Sequence, residues 1–416
     1  VQTGDEGHVY YLRLNLQGAI PTARLARFDF KTRKEEALAE GVDSFQISAN
    51  GKRLLVQTKA GASIVDVAPK LDLAKFRLPL ERLEVRVDPR AEWRQIFDEA
   101  WRINRDFFYD PGMHGADWPA MREKYRAFLP HVVTRRDLNR LMQWMFSELA
   151  VGHHRVAGGD TLAPTPRTPG GLLGADFEVA NGRYRFKRIY GGLNWDADLR
   201  APLTEPGVDA KVGDFLLSVD GRDLRSEDNL YARFERTAGR IVELTIGPKP
   251  NGDAARTVKV VPVADEHALR NRAWVEDNIR KVTAATKGRV AYVYVPNTAG
   301  LGRAYFKRYF YPQADREAII IDERHNGGGL VADYYIDLLR RPYLNQWVTR
   351  YGADQKSPTA AIHGPKVMII DETAGSGGDL LPWIFRKLKV GTIVGKRTWG
   401  GLVGILGFPT LMDGGW

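Results

Sequence analysis

Val367-Met-Ile-Ile-Asp-Glu-Thr-Ala-Gly-Ser-Gly-Gly-Asp379 decides how the last third of this 416-residue chain folds. The run 367–370 is wholly apolar, as a strand buried on both faces should be. A glycine-rich turn follows. Beyond it Leu380, Leu381, Trp383, Ile384 and Leu388 recur on one side of a helix predicted over 377–389. The same alternation runs through 266–416, with strands predicted at 290–295, 318–322, 367–371 and 392–395 and helices near 302–309 and 332–339. It implies an α/β unit with a largely parallel sheet. Ligands should sit in the loops at the strands' carboxyl ends.

Three stretches carry chemistry. Ser376 lies in a glycine-rich turn between strand and helix. That is a nucleophile geometry, because the helix N-terminus offers N–H groups to a developing oxyanion. A plain N-cap is the alternative. Ile321-Asp-Glu-Arg-His-Asn-Gly-Gly-Gly329 also follows an apolar strand. Its glycines suit an oxyanion hole or a clamp on substrate backbone, with a flexible turn as the alternative. No Gly-Lys-Ser/Thr follows, so it is not a phosphate loop. Glu148-Leu-Ala-Val-Gly-His-His-Arg155 supplies a candidate base for a serine. A solvated or capping histidine pair is the alternative there, and adjacent histidines are poor partners for one metal ion.

Working outward, 165–265 reads as β-rich with one helix. Within it Val212-Gly-Asp-Phe-Leu-Leu-Ser-Val-Asp-Gly221 resembles the middle of a PDZ domain, with 227–236 as its groove-lining helix. Residues 80–150 show helical periodicity: Trp93, Ile96, Phe97, Ala100 and Trp101 form one stripe, and Leu138, Leu141, Met142, Met145 and Phe146 another. Residues 1–68 read as short strands at 10–16, 23–30, 44–48, 53–58 and 63–67, with a hairpin turn at Asn50-Gly51. The pattern at 45–54 resembles one β-propeller blade, which cannot bury both faces alone, so further blades are expected before residue 1.

Hydrophobic residues at 44% supply material for several cores, which excludes disorder as the main state. No apolar run approaches the ~20 residues of a membrane-spanning helix. The absence of cysteine removes disulfides, cysteine nucleophiles and thiolate metal sites. The net charge is +10, yet 61 Lys and Arg are dispersed among 51 acids without a basic run or nucleic-acid motif. Neither nucleic acid nor membrane is an expected partner. No basic-then-apolar leader follows Val1, and 408–416 reads as a strand and turn that lead nowhere. Both ends are expected to be cut from a longer polypeptide.

In this order the segments resemble the C-terminal half of the tricorn protease family of serine peptidases. The resemblance rests on Asp106-Phe-Phe-Tyr-Asp-Pro111, Glu148-Leu-x-x-x-His153, Gly171-Leu-Leu-Gly-Ala-Asp176, Asn326-Gly-Gly-Gly329, Ala374-Gly-Ser-Gly-Gly-Asp379 and Arg397-Thr-Trp-Gly-Gly-Leu-Val-Gly404. It implies a multidomain α+β chain: a β-propeller blade remnant over 1–75, a small helical domain with the catalytic histidine over 76–162, a PDZ-like β-domain over 163–265, and an α/β crotonase-like peptidase domain over 266–416, C-terminally incomplete. It further implies a serine endopeptidase that cuts peptides or unfolded polypeptide through an acyl-enzyme. Ser376 is then the nucleophile and His153 the general base. Gly329 and Gly377 form the oxyanion hole. Gly327, Gly328 and Gly329 bind substrate backbone, and Trp347 lines the primary pocket. No metal or organic cofactor is implied. The resemblance implies a toroidal hexamer as a homo-oligomer, and the compartment is read as cytoplasmic with a bacterial periplasm as the alternative.

The chain departs from the family pattern at several points. Gly152 stands where the family's Glu-Leu-x-x-Ser-His has serine. The relay glutamate's motif does not occur before Trp416. Trp347, taken as a buried tryptophan, stands where an acid would select basic P1 residues, so apolar or aromatic P1 residues are expected, although Asp354 is near in sequence. Gly401 replaces the lysine of the Thr-Phe-Gly-Lys-Gly motif of carboxyl-terminal processing peptidases, and Lys396 sits at a different motif position. Two other classes compete: a catalytically inert peptide-binding scaffold built on the PDZ-like segment, and a hydratase-like enzyme of crotonase architecture, against which the PDZ-like and propeller-like segments argue.

Overall fold

Alternating apolar and polar residues shape the first of two units, residues 1–89. The structure, a computed structural model, describes residues 1–4, 7–15, 22–162, 166–405 and 409–416. Leu16, residues 163–165 and Phe408, where several sequence readings begin or end, lie outside the described residues. Gln2–Thr3, His8–Asn15, Thr22–Asp29 and Lys34–Glu40 form one antiparallel sheet, and Val42–Ile47, Arg53–Thr58 and Gly61–Asp66 a second. Tyr10, Leu25, Leu38, Phe45, Leu54, Val56 and Val65 share one core.

Two sheets therefore stand where the sequence suggested a single blade. The additional strands are Gln2–Thr3 and Lys34–Glu40, and the Lys-Glu-Glu-Ala-Leu-Ala-Glu composition of the second favours helix. Cross-strand pairing overrides that propensity. Leu38 is buried, Glu35 accepts from Arg13 at 2.7 Å and Arg24 at 2.6 Å, and Glu36 accepts from Arg27 at 2.6 Å.

The second unit, residues 90–416, contains three segments in sequence order. Helices α1 (Pro89–Phe107), α2 (Trp118–Arg126) and α3 (Arg135–Ser147) bury Ile96, Phe97, Ala100, Trp118, Leu138, Met142 and Met145. Thr134 and Asp137 form a capping box that starts α3. Of the terminal strand and turn read from the sequence, the described residues show the turn, closed by Leu411 N–H to Gly415 O at 2.7 Å, and Trp416 pairs with Ala157 through two backbone bonds.

That turn is anchored by charge. The Arg135 and Asp413 side chains are each 1% exposed, with Nε to Oδ2 at 2.5 Å. Burial alone would raise the Asp413 pKa, but Arg135 and the N–H groups of Asp160 and Gly415 outweigh it and hold the carboxyl low. A carboxyl held low contributes stability above its unfolded pKa of about 4 and loses it as pH falls through the folded value. Asp413→Ala leaves Arg135 buried without its carboxylate and should cost about 3–5 kcal/mol in a denaturant titration at pH 7. The gap between variant and wild type should shrink below about pH 4.

A five-strand antiparallel path follows, in the order Arg256–Val260, Val242–Gly247, Phe215–Val219, Arg183–Ile189, Ala175–Ala180, with Arg222–Asp223 paired to Phe215–Val219. The helix predicted over 227–236 is instead one 3-10 turn, Leu230–Phe234. The polar run before it caps rather than coils: Asn229 accepts from the N–H of Tyr231 and Ala232, and Asp228 from Arg225. At the other end Gly171 N–H takes the Phe234 carbonyl, and Arg236 enters the left-handed region at φ 60°.

Helix α4 (His267–Thr286) leads into the α/β segment. Its sheet is parallel throughout, in the order Val290–Tyr294, Ala318–Asp322, Lys366–Ile370, Thr392–Gly395. Helices α5 (Gly300–Phe310), α6 (Ala332–Leu339) and α7 (Gly377–Lys387) pack with it around Val293, Phe306, Ile321, Tyr335, Met368, Leu381 and Phe385. Trp347 is not buried. It lies in a hairpin of Asn345–Trp347 with Gln355–Ser357 and is 65% exposed, because this excursion after α6 does not join the main sheet. Among the described residues no helix is long and apolar enough to cross a membrane.

Candidate active site

The strand Lys366–Ile370 delivers the chain to a turn at its carboxyl end, and α7 leaves from it. Ser376 sits between them at φ 59° and ψ −117°, a left-handed backbone unusual for a residue with a side chain. Three hydrogen bonds hold it there. Ser376 N–H donates to Asp379 Oδ2 at 2.7 Å, and the Ser376 carbonyl accepts from the N–H groups of Asp379 and Leu380 at 2.8 and 3.0 Å. The Ser-x-x-Asp spacing of a capping box, which the sequence reading did not use, announces this clamp.

The glycine run 327–329 packs directly on that turn. Asp371 Oδ1 accepts from His325 N–H at 3.0 Å and Ala374 N–H at 3.1 Å, and Gly375 N–H reaches the Asn326 carbonyl at 3.0 Å. Gly327 N–H is committed to Pro296 O at 3.0 Å and Gly328 N–H to Asn326 Oδ1 at 2.9 Å. Neither Gly329 nor Gly377 donates its N–H to another described residue. The approach is close enough to demand glycine. A Cβ on Gly328 would stand 2.7 Å from Ser376 Cβ, and one on Gly377 would stand 2.0 Å from Thr298 Oγ1 and 2.7 Å from Gly329 N. The serine and two open N–H groups are thus brought together, while Gly328 contributes clearance rather than a donor and a Cβ on Gly327 would stand in open space.

Beneath this run lies Glu323, which the sequence did not single out. It is fully buried, and its pKa is pushed up to about 10, first by burial and then by Asp379 and Asp371. It is a neutral acid whose Oε2 accepts from Asn326 Nδ2 at 3.3 Å. A carboxyl raised in the fold is favourable below its unfolded pKa and loses that stability as pH rises toward the folded value. Glu323→Gln keeps the shape without titrating. Its melting temperature should exceed the wild type's by a margin that widens from pH 6 to pH 9, up to about 1.4 kcal/mol per pH unit. A margin independent of pH would show that Glu323 carries no extra proton.

His153 follows α3. Its Nδ1 bonds the Val403 carbonyl, which can only accept, so Nδ1 carries a proton and the neutral ring has its lone pair on Nε2. Trp399 stands edge-on to the imidazole with ring centroids 4.8 Å apart. Glu148, five residues before, does not serve this ring; it accepts from Lys124 Nζ at 2.6 Å and Tyr125 Oη at 2.7 Å. His154 points elsewhere, with Nε2 on Asn104 Oδ1 at 3.0 Å and its ring beside Phe108 and Phe146. Lys396 is engaged by Glu372 at 2.8 Å and is 76% exposed, and Gly401 has no room for a side chain because its Cβ would meet the Trp399 ring at 2.2 Å.

A parallel sheet with a strained serine at a helix start, glycine N–H groups against it and a PDZ-like sheet before it describes a class of peptidase fold. The chain matches the Peptidase family S41 model over residues 289–415, the Tricorn protease PDZ domain over 171–265 and the Tricorn protease C1 domain over 89–147. With this series of domains it belongs to the tricorn protease family. It is 33% identical to Tricorn protease homolog 1 of Streptomyces coelicolor over 97% of this chain and 38% of that protein. It is 32% identical to the Tricorn protease homolog of Saccharolobus solfataricus over 94% of this chain and 36% of that protein. The crystal structure of the tricorn protease superposes with a TM-score of 0.87 at 28% identity, over 98% of this chain and 40% of that one. The chain thus spans less than half the length of these relatives.

Proposed function

We propose that this chain is the catalytic part of a serine endopeptidase acting on peptides or unfolded polypeptide. The observation that carries the reading is the convergence of Ser376 with the open N–H groups of Gly329 and Gly377. Ser376 Oγ attacks the scissile carbonyl carbon as His153 Nε2 takes its proton. The Gly329 and Gly377 N–H groups hold the resulting oxyanion, one such donor being worth ~3 kcal/mol in the transition state. Collapse expels the amine, which leaves with the proton from His153, and an acyl-enzyme remains. Water, deprotonated by His153, attacks the ester and releases the second product. The Val403 carbonyl keeps the imidazole in the tautomer this sequence needs.

Family membership supports three further parts of the proposal: the two N-terminal sheets as the end of a β-propeller, a toroidal hexamer, and a cytoplasmic compartment. A fluorophosphonate probe tests the central reading. Stoichiometric labelling of Ser376 is expected, and an unlabelled serine favours the inert peptide-binding scaffold. For the primary pocket, the proposal keeps Trp347 as a lining residue reached from its exposed hairpin. Peptides differing only at P1 should then be cut about thirtyfold faster after Phe or Leu than after Arg or Lys, since desolvating one large apolar side chain is worth ~2 kcal/mol. Preference for Arg or Lys would overturn the pocket and leave the serine mechanism standing.

A further inference from the structure

The loop 399–403 touches both halves of the site. Trp399 N–H donates to Ala374 O at 2.9 Å. The N–H groups of Gly400 and Gly401 donate to the Asp379 carboxylate at 2.6 and 2.9 Å, the carboxylate that also clamps Ser376 N–H at 2.7 Å. At its far end the Val403 carbonyl takes His153 Nδ1–H. Between these anchors the indole fills the gap between the two reacting loops. A Cβ on Gly152, just before the base, would stand 2.8 Å from Trp399 Cζ2, and one on Gly375, just before the nucleophile, 2.8 Å from Trp399 Cε3. One ring thus imposes glycine beside both Ser376 and His153. Trp399 is itself 45% exposed, so it anchors a core poorly.

We infer that Trp399 is a positioning residue that sets the spacing of His153 from Ser376, with Asp379 and the Val403 carbonyl as the fixed ends of the strap. The inference rests on the serine peptidase reading for its catalytic consequence.

The test is a four-variant cycle: wild type, Gly152→Ser, Trp399→Leu and the double variant, compared by fluorophosphonate labelling rate and by kcat and KM on one peptide. Trp399→Leu should lower kcat and labelling at least tenfold with KM within twofold and an unchanged circular dichroism spectrum. Gly152→Ser should cost at least tenfold beside the native indole and less than twofold in the double variant, where the smaller leucine side chain leaves room for the hydroxymethyl group. Equal costs of Gly152→Ser in both backgrounds, or a Trp399→Leu rate within twofold of wild type, overturns the inference. A wild type that never labels sinks the peptidase reading instead. In that event nitrogen NMR of the His153 ring still decides on the strap: the Nδ1–H tautomer should dominate in wild type and become mixed in Trp399→Leu, and an identical tautomer in both overturns it.

Discussion

Ser376→Ala should abolish covalent labelling and reduce turnover by about 10⁴–10⁶-fold, the scale on which removal of a nucleophile acts in serine triads. The fold should survive. Ser376 lies in a turn held by its own N–H and carbonyl, through Asp379 and Leu380, and alanine keeps both groups. Alanine also keeps the Cβ against which Gly328 is fitted. A melting temperature within about two degrees of wild type is therefore expected, corresponding to less than ~1 kcal/mol. Measured turnover of purified Ser376→Ala near the wild-type rate would remove the nucleophile assignment. A collapse of the melting temperature together with activity would instead show that the hydroxyl holds the turn, and the inactive variant would then say nothing of chemistry.

The α/β segment was legible because its strands are buried on both faces and so read as unbroken apolar runs. The strand Ala318–Asp322 and the helix Ala332–Leu339 fall where the sequence placed them. Glycine clusters gave away the two loops, since Gly328 and Gly329 approach Ser376 and Gly377 too closely to carry side chains. Other features depended on partners far along the chain. Lys34–Glu40 is a strand through its pairing with Thr22–Asp29, the burial of Leu38 and the contacts of Arg13, Arg24 and Arg27 with its glutamates. The 230–234 turn stays short because Gly171 N–H claims its last carbonyl. The hold of Val403 on His153 spans 250 residues and uses a backbone carbonyl, which no residue type announces. Glu323 could be seen as an acid, but its neutrality follows first from its burial and then from Asp379 and Asp371 beside it.

The two adjacent histidines should separate cleanly. His153→Ala should lower kcat about 10³-fold or more with little change in melting temperature, because a positioned base is lost from a loop. His154→Ala should do the reverse. Its ring is packed 5.8 Å from Phe108 and 5.4 Å from Phe146, and its Nε2 meets Asn104. Removing it leaves a cavity and an unpaired amide, a loss of about 2–3 kcal/mol with kcat within about fivefold. Burial lowers the His154 pKa, so the ring stays neutral in the fold at pH values where the unfolded chain binds a proton. Wild-type stability should therefore fall as pH drops below about 6.5, and His154→Ala should lose less over the same range. Thermal unfolding of both variants between pH 5 and 8, beside steady-state kinetics at pH 7.5, reads all of these outcomes. A larger catalytic loss for His154→Ala than for His153→Ala, with the stability order reversed, would show that the base is the other imidazole and that the Val403 contact is only structural.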